Sequence, residues 1–408
     1  MFITLDSLTS LRIIRSLRSS GQERRLSNRC DITLPDPSPT KRWRRRLIAE
    51  ALDQAGLGGA VTDAPIDVLV TSKETRIRAE GLRCAFRTGT YPPDSFVDLG
   101  DGLATACPEL TFVELARVME PAVHLMLGME LCGRFSRDGA DPRDGAVCYD
   151  IEPITTVQRL RTFAEGARWI RGAERALETI DRIVENAWSP MEAVLATLAA
   201  LPPYELGYDL WPLKLNPRKR LGEKLASLSD AQSRVPDLMF AGSNVGLNYD
   251  GEDHFGLGAL VEAAVRADRN PGDAALAHEL EEAIAHTRRR IVADKRRDRD
   301  LLALGLTIFS VTKEDLEEQG GLDHVMGQVI EAIEQAGARD LSAQRRLLES
   351  EALAHARQDL IWSLMPGSEA QKAHKRLKDR ESRGETRDYV ISFDTSDGQA
   401  RVLSIEEV

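Results

Sequence analysis

The chain contains no long hydrophobic run. No stretch of eighteen consecutive apolar residues occurs, and the N-terminal stretch MFITLDSLTSLRIIRSLRSSG lacks the long apolar core of a signal peptide. These absences argue against a membrane-spanning protein and against a secreted one. We therefore expect a cytoplasmic protein with no membrane partner.

Cysteine is sparse and widely spaced. The cysteines never lie closer than sixteen residues apart, and there are five: Cys30, Cys84, Cys107, Cys132 and Cys148. An odd number without close pairs argues against a disulfide framework and against a zinc ribbon. The spacing predicts reduced thiols, most of them in the core.

The chain also has no excess of positive charge. Its 54 Lys and Arg residues stand against 65 Asp and Glu residues, for a net charge of −11, which disfavours a wholly basic nucleic-acid coat. Positive charge is concentrated in KRWRRR (41–46) and RRRIVADKRRDRD (288–300). Either cluster could contact phosphate, although a solvated helix face is the commoner reason for such a run.

The length and the patterning of the chain predict several domains. With 408 residues the chain is long enough for two or three, and strand-like and helical patterns alternate without an internal repeat. We predict an α/β protein of the mixed α+β type. Its predicted segments are a mixed α/β N-terminal domain (1–150), a connection formed by one long helix (151–188), a third domain (189–337) and a helical extension ending in a β-hairpin (338–408).

The third segment contains a strand–helix–strand order. The run PDLMFAGSNVGLNYD (236–250) predicts a β-hairpin, and LTIFSVT (306–312) predicts a further strand. A helix-rich stretch, 257–304, lies between them and is broken at Asn-Pro-Gly (270–272). Such a crossover places the strand at 306–312 parallel to and near the second hairpin strand, with a helix at 321–335 covering the sheet.

Three polar residues of this hairpin are candidate metal ligands. Asp237 follows a proline at the start of a short apolar strand, and Asn248 and Asp250 share one face of the next strand. Oxygen ligands of this kind suit Mg²⁺. His254, just beyond Gly251, could polarise a water molecule or contact the scissile phosphate. Pro-Asp and Asp-Gly are also common turn dipeptides, so an ordinary hairpin is the alternative.

A helix before the hairpin adds a carboxylate. The motif Ser-Pro-Met-Glu (189–192) predicts a capping box with proline at the first helical position, in which Glu192 returns a hydrogen bond to the backbone of Ser189. That structural role explains Glu192 without any chemistry.

A helix after the hairpin adds cations. Asp294 and Arg297 fall on one helix face, and Lys295 and Arg296 lie beside them. Arg297 could bind a phosphate through two hydrogen bonds, and an ion pair within the helix is the more common alternative. These three cations are the candidate nucleic-acid-binding residues.

Taken in their order along the chain, the motifs of 189–337 resemble the very-short-patch-repair-like branch of the PD-(D/E)XK nucleases, which form the restriction-endonuclease-like superfamily. The motifs are a Ser-Pro-x-Glu helix, a Pro-Asp strand, a strand ending Tyr-Asp-Gly-x-x-His, an Asp-x-x-Arg-Asp helix and an apolar strand after Gly305. The resemblance implies a restriction-endonuclease-like core and Mg²⁺-dependent hydrolysis of DNA. By position it implies catalytic roles for Glu192, Asp237, Asp250 and His254.

The front of the chain carries a looser resemblance. The stretches IDVLVTS, CPELTFVELA and LGMELCGRFS, within 66–135, resemble the non-nuclease part of bacterial proteins related to AbiEi-type antitoxins. In such proteins this region precedes a nuclease-like domain. The two resemblances therefore support each other.

Two departures from the nuclease pattern leave three hypotheses open. Asn248 stands where the family usually has Glu, and the forty residues from His254 to Asp294 imply a helical insertion. An asparagine offers a neutral oxygen ligand and cannot act as a base. The chain is a Mg²⁺-dependent DNA endonuclease, or a degenerate pseudo-nuclease that binds DNA or a protein partner in a defence or toxin–antitoxin setting, or a protein in which these residues are only structural. The oligomeric state stays open.

Overall fold

The computed structural model describes residues 3–31, 44–70, 73, 76, 78–87, 89–251, 257–365, 373, 375, 379, 389–394 and 401–407. The chain forms two compact units. The first consists of Met1–Gly207, Ser363–Val390 and Glu406–Val408, and the second of Tyr208–Trp362 and Ile391–Ile405. Both units combine helices with sheets, so the predicted mixed α/β class is confirmed.

The first unit is built on a six-stranded mixed sheet of order β2-β5-β6-β1-β3-β4. Its strands are β1 (Ile3–Leu5), β2 (Arg29–Cys30), β3 (Ile66–Val70), β4 (Leu82–Phe86), β5 (Phe96–Gly100) and β6 (Leu103–Ala106). A small two-stranded sheet follows, formed by β7 (Phe135–Ser136) and β8 (Cys148–Tyr149). Every residue of β1, β3 and β6 is buried, which explains why these strands are mostly apolar rather than alternating; the buried polar exceptions are Thr4, Asp67 and Thr105.

The helices of the first unit carry most of its core. They are α1 (Ser7–Ser19), α2 (Arg45–Gln54), α3 (Pro108–Leu115), α4 (Pro121–Leu131), α5 (Val157–Gly166), α6 (Ala173–Ile180) and α7 (Pro190–Ala200). Helices α1 and α3 pack on the sheet and on each other, and α4 packs against α3, α6 and α7. Helices α3 and α4, which lie in the most apolar part of the chain, are buried over almost their whole length.

The prediction that one long helix forms the connection at 151–188 is wrong. The chain forms two helices there, α5 and α6, which pack against each other. Helix α5 ends at Gly166, and Gly172, immediately before α6, adopts a left-handed φ of 105°. Apolar residues recur at helical spacing through this turn because each short helix buries one face, so the periodicity alone does not reveal the break.

The second unit is built on a four-stranded sheet of order β14-β13-β12-β9. The strands of this unit are β9 (Leu213–Leu215), β10 (Lys219–Arg220), β11 (Ser233–Arg234), β12 (Leu238–Phe240), β13 (Val245–Asp250) and β14 (Thr307–Thr312), with β10 and β11 paired separately. Strands β12 and β13 form the predicted antiparallel hairpin, and β14 pairs with β13 in parallel over six residues. The predicted crossover is therefore confirmed.

The helices of the second unit lie between and after these strands. They are α8 (Glu223–Ala226), α9 (Leu257–Arg269), α10 (Ala274–Ala303), α11 (Lys313–Glu317), α12 (Gly321–Gln335), α13 (Ser342–Leu348) and α14 (Glu351–Leu364). Helices α9 and α10 pack as an antiparallel pair on either side of the predicted break at 270–272. Helix α12 packs on β13 and β14 with the bounds predicted for it.

The C-terminal extension matches its prediction in part. Two helices, α13 and α14, follow residue 338 and are separated near Glu349. Pro366-Gly367, where the sequence also predicts a helix break, lies outside the described residues. The predicted final hairpin is confirmed as a two-stranded sheet of β15 (Tyr389–Asp394) and β16 (Arg401–Glu407).

Two expectations from composition can be compared with the fold. Among the described residues, no helix combines the length and the apolar character that a membrane crossing requires. All five cysteines are free thiols, as predicted. The expectation that most lie in the core is wrong, because Cys107 and Cys132 are buried and the other three are partly exposed.

Candidate functional site

The start of the β12–β13 hairpin brings Asp237 and Asn248 side by side. Leu238 pairs with Leu247, so Asp237 and Asn248 are the next residues outward on the two strands. The Asn248 Oδ1 atom accepts the backbone N–H of Asp237 at 3.1 Å, and the Asp237 Oδ2 atom accepts the backbone N–H of Tyr249 at 2.7 Å. Both side chains therefore hold the register of the hairpin.

The environments of these two side chains differ. Asn248 is only 1% exposed, whereas Asp237 is half-buried. A buried amide needs partners but carries no charge, so it is less costly to bury than a carboxylate. Asparagine therefore replaces the expected acid at a position of β13 that is almost completely buried.

Helix α10 adds a cation to the same strand. The Arg297 Nη2 atom lies 2.7 Å from Asp294 Oδ1 and 3.6 Å from Asp250 Oδ1. These contacts are ion pairs rather than aligned hydrogen bonds. All three side chains are largely buried, with at most 20% of the Arg297 side chain exposed. The ion pair that Asp294 and Arg297 form within α10 thus also includes Asp250, the last residue of β13.

The described residues do not fit a Mg²⁺ site in this arrangement. Asp250 and Asp294 share the guanidinium of Arg297, and the Asp237 carboxylate binds a backbone amide. Within the described part of the chain, no group of three or more His, Cys, Asp or Glu side chains is placed to hold a metal ion. His254, the fourth catalytic candidate, lies outside the described residues.

Glu192 lies in the first compact unit, at the start of α7. Its Oε2 atom accepts the backbone N–H of Trp188 at 2.8 Å, and its Oε1 atom accepts the hydroxyl of Ser189 at 3.0 Å. Ser189 in turn accepts the Glu192 N–H at 3.2 Å and caps the helix. The cap forms as predicted, except that Glu192 binds the amide of Trp188 instead of Ser189. Asp237 belongs to the second unit, so convergence of Glu192 with Asp237 stays a prediction.

Lys295 and Arg296 do not share the partners of Arg297. The side chain of Lys295 is 71% exposed and lies 3.4 Å from Asp298, and Arg296 is 52% exposed and pairs with Asp230 at 3.1 Å. Both remain accessible to a charged partner.

A basic surface that the motifs do not reveal lies next to this site, and we call it the basic strip. Its members are cations on β10, on its flanks and on the last turns of α10: Arg218, Lys219, Arg220, Lys224, Arg296 and Arg299. Arg234 of β11 joins the two parts, since it is paired with Lys219 across the strands and binds Asp300 of α10 at 2.8 Å. The run Asn-Pro-Arg-Lys-Arg (216–220) is the sequence signal for this surface.

The basic strip begins beside the hairpin. The backbone N–H of Asn216, two residues before Arg218, binds the carbonyl oxygen of Asp237 at 2.9 Å. A ligand that follows the strip therefore reaches the edge where Asp237 lies.

Compared with known proteins, the chain matches no family model, no curated protein and no solved structure. The resemblance to nucleases therefore rests on the motifs in this sequence. A function for the chain has to be argued from the residues themselves.

Proposed function

We propose that this chain is a catalytically degenerate, nuclease-like protein that binds DNA through its second compact unit. The observation that carries the proposal is the position of Arg297 between Asp250 and Asp294. The hairpin, the helical crossover and the parallel strand β14 support the resemblance to a restriction-endonuclease-like core.

The arginine opposes a catalytic metal ion. A guanidinium stays protonated at any pH at which the protein is folded, and its single positive charge already pairs with both carboxylates that a metal would need. Two like unit charges about 4 Å apart repel by on the order of 4 kcal/mol at an effective dielectric constant of about 20, and a divalent ion doubles that repulsion. Binding Mg²⁺ here would first require Arg297 to leave both acids.

Asn248 removes a second requirement for catalysis. An amide side chain has no basic oxygen that could take a proton from an attacking water. Its Oδ1 atom is moreover occupied by the Asp237 amide. Position 248 thus contributes hydrogen bonding to the fold and supplies neither charge nor a base.

The basic strip favours DNA over a protein as the partner. The nearby acids Asp230 and Asp300 are paired with arginines, so the excess charge of the strip faces solvent. Cations that bind phosphate release counterions, which gives affinity even to a chain whose net charge is negative. Binding of this kind needs no cleavage chemistry.

A combined cleavage and binding assay tests the proposal. The full chain is incubated with single- and double-stranded DNA in Mg²⁺ or Mn²⁺, beside Asp237→Ala, and affinity is measured by fluorescence anisotropy over a salt series. We expect no metal-dependent cleavage, and binding that weakens steeply with salt. The double variant Arg220→Gln/Arg299→Gln should reduce the slope of log K against log salt by about 2.

The matched control is Arg168→Gln/Arg171→Gln, which removes two exposed arginines of the first unit that lie outside both basic clusters and should leave affinity unchanged. Cleavage that disappears in Asp237→Ala would establish an active nuclease and reject degeneracy. Absence of salt-sensitive DNA binding would reject DNA as the partner and leave a protein partner as the alternative.

A further inference from the structure

The side chain of Asp230 lies where the two parts of the basic strip meet. Its Oδ1 atom accepts a hydrogen bond from Arg234 Nη2 of β11 at 2.5 Å, and its Oδ2 atom accepts one from Arg296 Nη1 of α10 at 3.1 Å. Each oxygen of this one carboxylate is therefore bound by an arginine from a different element. The same hydrogen bonds, from Arg234 and then Arg296, lower the pKa of Asp230, so the carboxyl is ionised at neutral pH.

The pair of arginines around Asp230 also suits a phosphodiester group. A phosphodiester carries one negative charge on two terminal oxygen atoms, and the N–H donors of arginine bind carboxylate and phosphate in the same pattern. The strand partner of Arg234 is Lys219, and Arg299 lies about one helical turn beyond Arg296. The two arginines therefore belong to the same surface as the other cations of the basic strip.

The two acids that pair with Arg234 differ in how firmly they are held. The side chain of Asp300 is 12% exposed, binds Arg234 through Nε at 2.8 Å and Nη2 at 2.7 Å, and accepts the Ser229 hydroxyl at 2.5 Å. The side chain of Asp230 is 43% exposed and lies between α8 and β11, outside both elements. Asp300 can therefore keep Arg234 in place when Asp230 moves away. Among the described ion pairs, Asp230 is the only partner of Arg296.

We propose that Arg234 and Arg296 form a binding site for one phosphate group of DNA, which Asp230 occupies in the unbound chain, so that Asp230 competes with DNA for this site. The inference rests on the proposed DNA-binding function and adds a residue that opposes it. Because the carboxylate is attached to the same chain, its local concentration is high, and a phosphate gains both arginines only by displacing it. The chain therefore binds DNA more weakly than its number of basic residues would allow.

Asp230→Asn tests the competition, because asparagine keeps the shape of the side chain and removes its charge. Binding of the full chain to labelled single- and double-stranded DNA is measured by fluorescence anisotropy over a salt series. At low salt we expect the variant to bind about fivefold more tightly than the wild type, the effect of removing one unit charge about 4 Å from a phosphate in water. The slope of log K against log salt should become steeper by about 1, because one more phosphate is neutralised.

Three comparisons separate competition for the site from a general change in charge. Asp230→Glu keeps a carboxylate beside the two arginines and should bind DNA as the wild type does. Asp268→Asn removes an exposed acid near the end of α9, about 30 Å along α10 from Arg296, and should leave affinity unchanged. In the background of Arg296→Gln, the gain from Asp230→Asn should shrink to about twofold or less, because residues in one ion-pair network are energetically coupled.

The outcomes distinguish this inference from the proposed function. Salt-sensitive DNA binding by the wild type, with the same affinity and slope in Asp230→Asn, would reject the competition and leave DNA binding in place. An undiminished gain in the Arg296→Gln background would also reject it, since the gain would then come from net charge alone. Absence of DNA binding in both the wild type and Asp230→Asn would reject the proposed function and this inference together. Folding of each variant is checked by circular dichroism, and Asp230→Ser replaces Asp230→Asn if the latter does not fold.

Discussion

The side-chain oxygen of Asn248 accepts the backbone N–H of Asp237 at 3.1 Å, across the first rung of a hairpin. Asp237 returns a bond to the same strand, through the amide of Tyr249. Because Asn248 is almost completely buried, an acid in its place would lie close to the Asp237 carboxylate without access to water. The neutral residue is therefore the one that suits this fold without a metal ion.

Asn248→Asp should destabilise the protein. In metal-free buffer at pH 8 we expect a loss of about 1–3 kcal/mol, because a buried carboxylate is created beside another acid. The pKa of the new carboxyl would be raised, so the loss should shrink as the pH falls and the carboxyl becomes neutral. Urea unfolding at pH 8 and pH 5 measures both effects.

Asn244→Asp is the matched control for that substitution. Asn244 is exposed in the turn of the same hairpin, where its Nδ2 atom donates to the carbonyl oxygen of Gly305. A surface substitution of this kind should lower the free energy of unfolding by less than about 0.5 kcal/mol, apart from the small cost of losing one exposed hydrogen bond. Equal stabilities of Asn248→Asp and the wild type at pH 8 would contradict the structural role of Asn248.

Arg297→Met should convert the acid pair into a weak divalent-cation site. Without the guanidinium, Asp250 and Asp294 lose their shared counterion, and we expect about 2 kcal/mol of destabilisation in metal-free buffer. A Mn²⁺ concentration about tenfold above Kd would restore about 1.4 kcal/mol. The measurement is the shift in Tm over a Mn²⁺ titration.

Arg296→Met provides the comparison, since Arg296 is the neighbouring arginine of α10 and pairs with Asp230 instead. Mn²⁺ should not change the Tm of this variant or of the wild type. A Mn²⁺-dependent rise in Tm of the wild type would show that Arg297 does not prevent metal binding.

Ser189→Ala and Glu192→Gln should behave as changes to a helix cap. Removing the Ser189 hydroxyl should cost about 1 kcal/mol, because the first turn of α7 loses its side-chain acceptor. Glu192→Gln keeps one acceptor for the Trp188 amide and should cost about 0.5–1 kcal/mol.

Urea unfolding measures these costs, with Glu178→Gln on the exposed face of α6 as the control. DNA affinity should be the same in Glu192→Gln and the wild type. A variant that keeps its stability but loses DNA binding would place Glu192 in the binding site after all.

His124 should make the protein less stable in mild acid. The ring is buried on Phe112, 4.1 Å between ring centroids, and its Nε2–H donates to the Phe112 carbonyl at 2.9 Å. Burial lowers the pKa of His124 to about 4, against about 6.5 in an unfolded chain. The unfolded state therefore binds the proton first, and stability that is complete above pH 6.5 is lost as the pH falls towards 4. From pH 7 to pH 5 this effect is worth about 2 kcal/mol.

The contribution of His124 is obtained by comparison with His124→Gln, which does not titrate. Burial and the nearby Asp6 raise the pKa of Glu114. Glu114 therefore contributes stability that is lost as the pH rises, and this pH dependence is opposite in sign to that of His124. The difference in unfolding free energy between wild type and variant cancels this slope. A difference that does not change between pH 7 and pH 5 would contradict the low pKa.

Local pattern was enough to predict the elements around the site. The hairpin of β12 and β13, the break between α9 and α10, and the bounds of α12 follow from alternation, an Asn-Pro-Gly turn and a helical apolar stripe. The parallel pairing of β14 followed from the general behaviour of strand–helix–strand units. Each of these signals lies within a short stretch of sequence.

The chemistry of the site depends on contacts that the sequence does not display. Nothing in the spacing of Arg297 shows whether it faces solvent or Asp250, which is more than forty residues away in the chain. The burial of Asn248 depends on strands and helices from the whole unit. The break before α6 was missed for a similar reason, since periodicity continues through a turn that a left-handed Gly172 permits.

The long connection between β13 and β14 has a consequence for folding kinetics. The chain leaves β13 at Asp250 and returns to the sheet only at Thr307. This connection is several times longer than the roughly dozen residues that a parallel pair of strands requires. If the connection were flexible, the extra length would cost only about 1.4 kcal/mol, because loop-closure entropy grows with the logarithm of length. The folding rate is affected more than the stability, since strands that are distant in sequence pair slowly. In pulse-labelling hydrogen exchange, the amides of β14 should become protected after those of the β12–β13 hairpin, so that this edge strand joins the sheet only after its neighbour has formed.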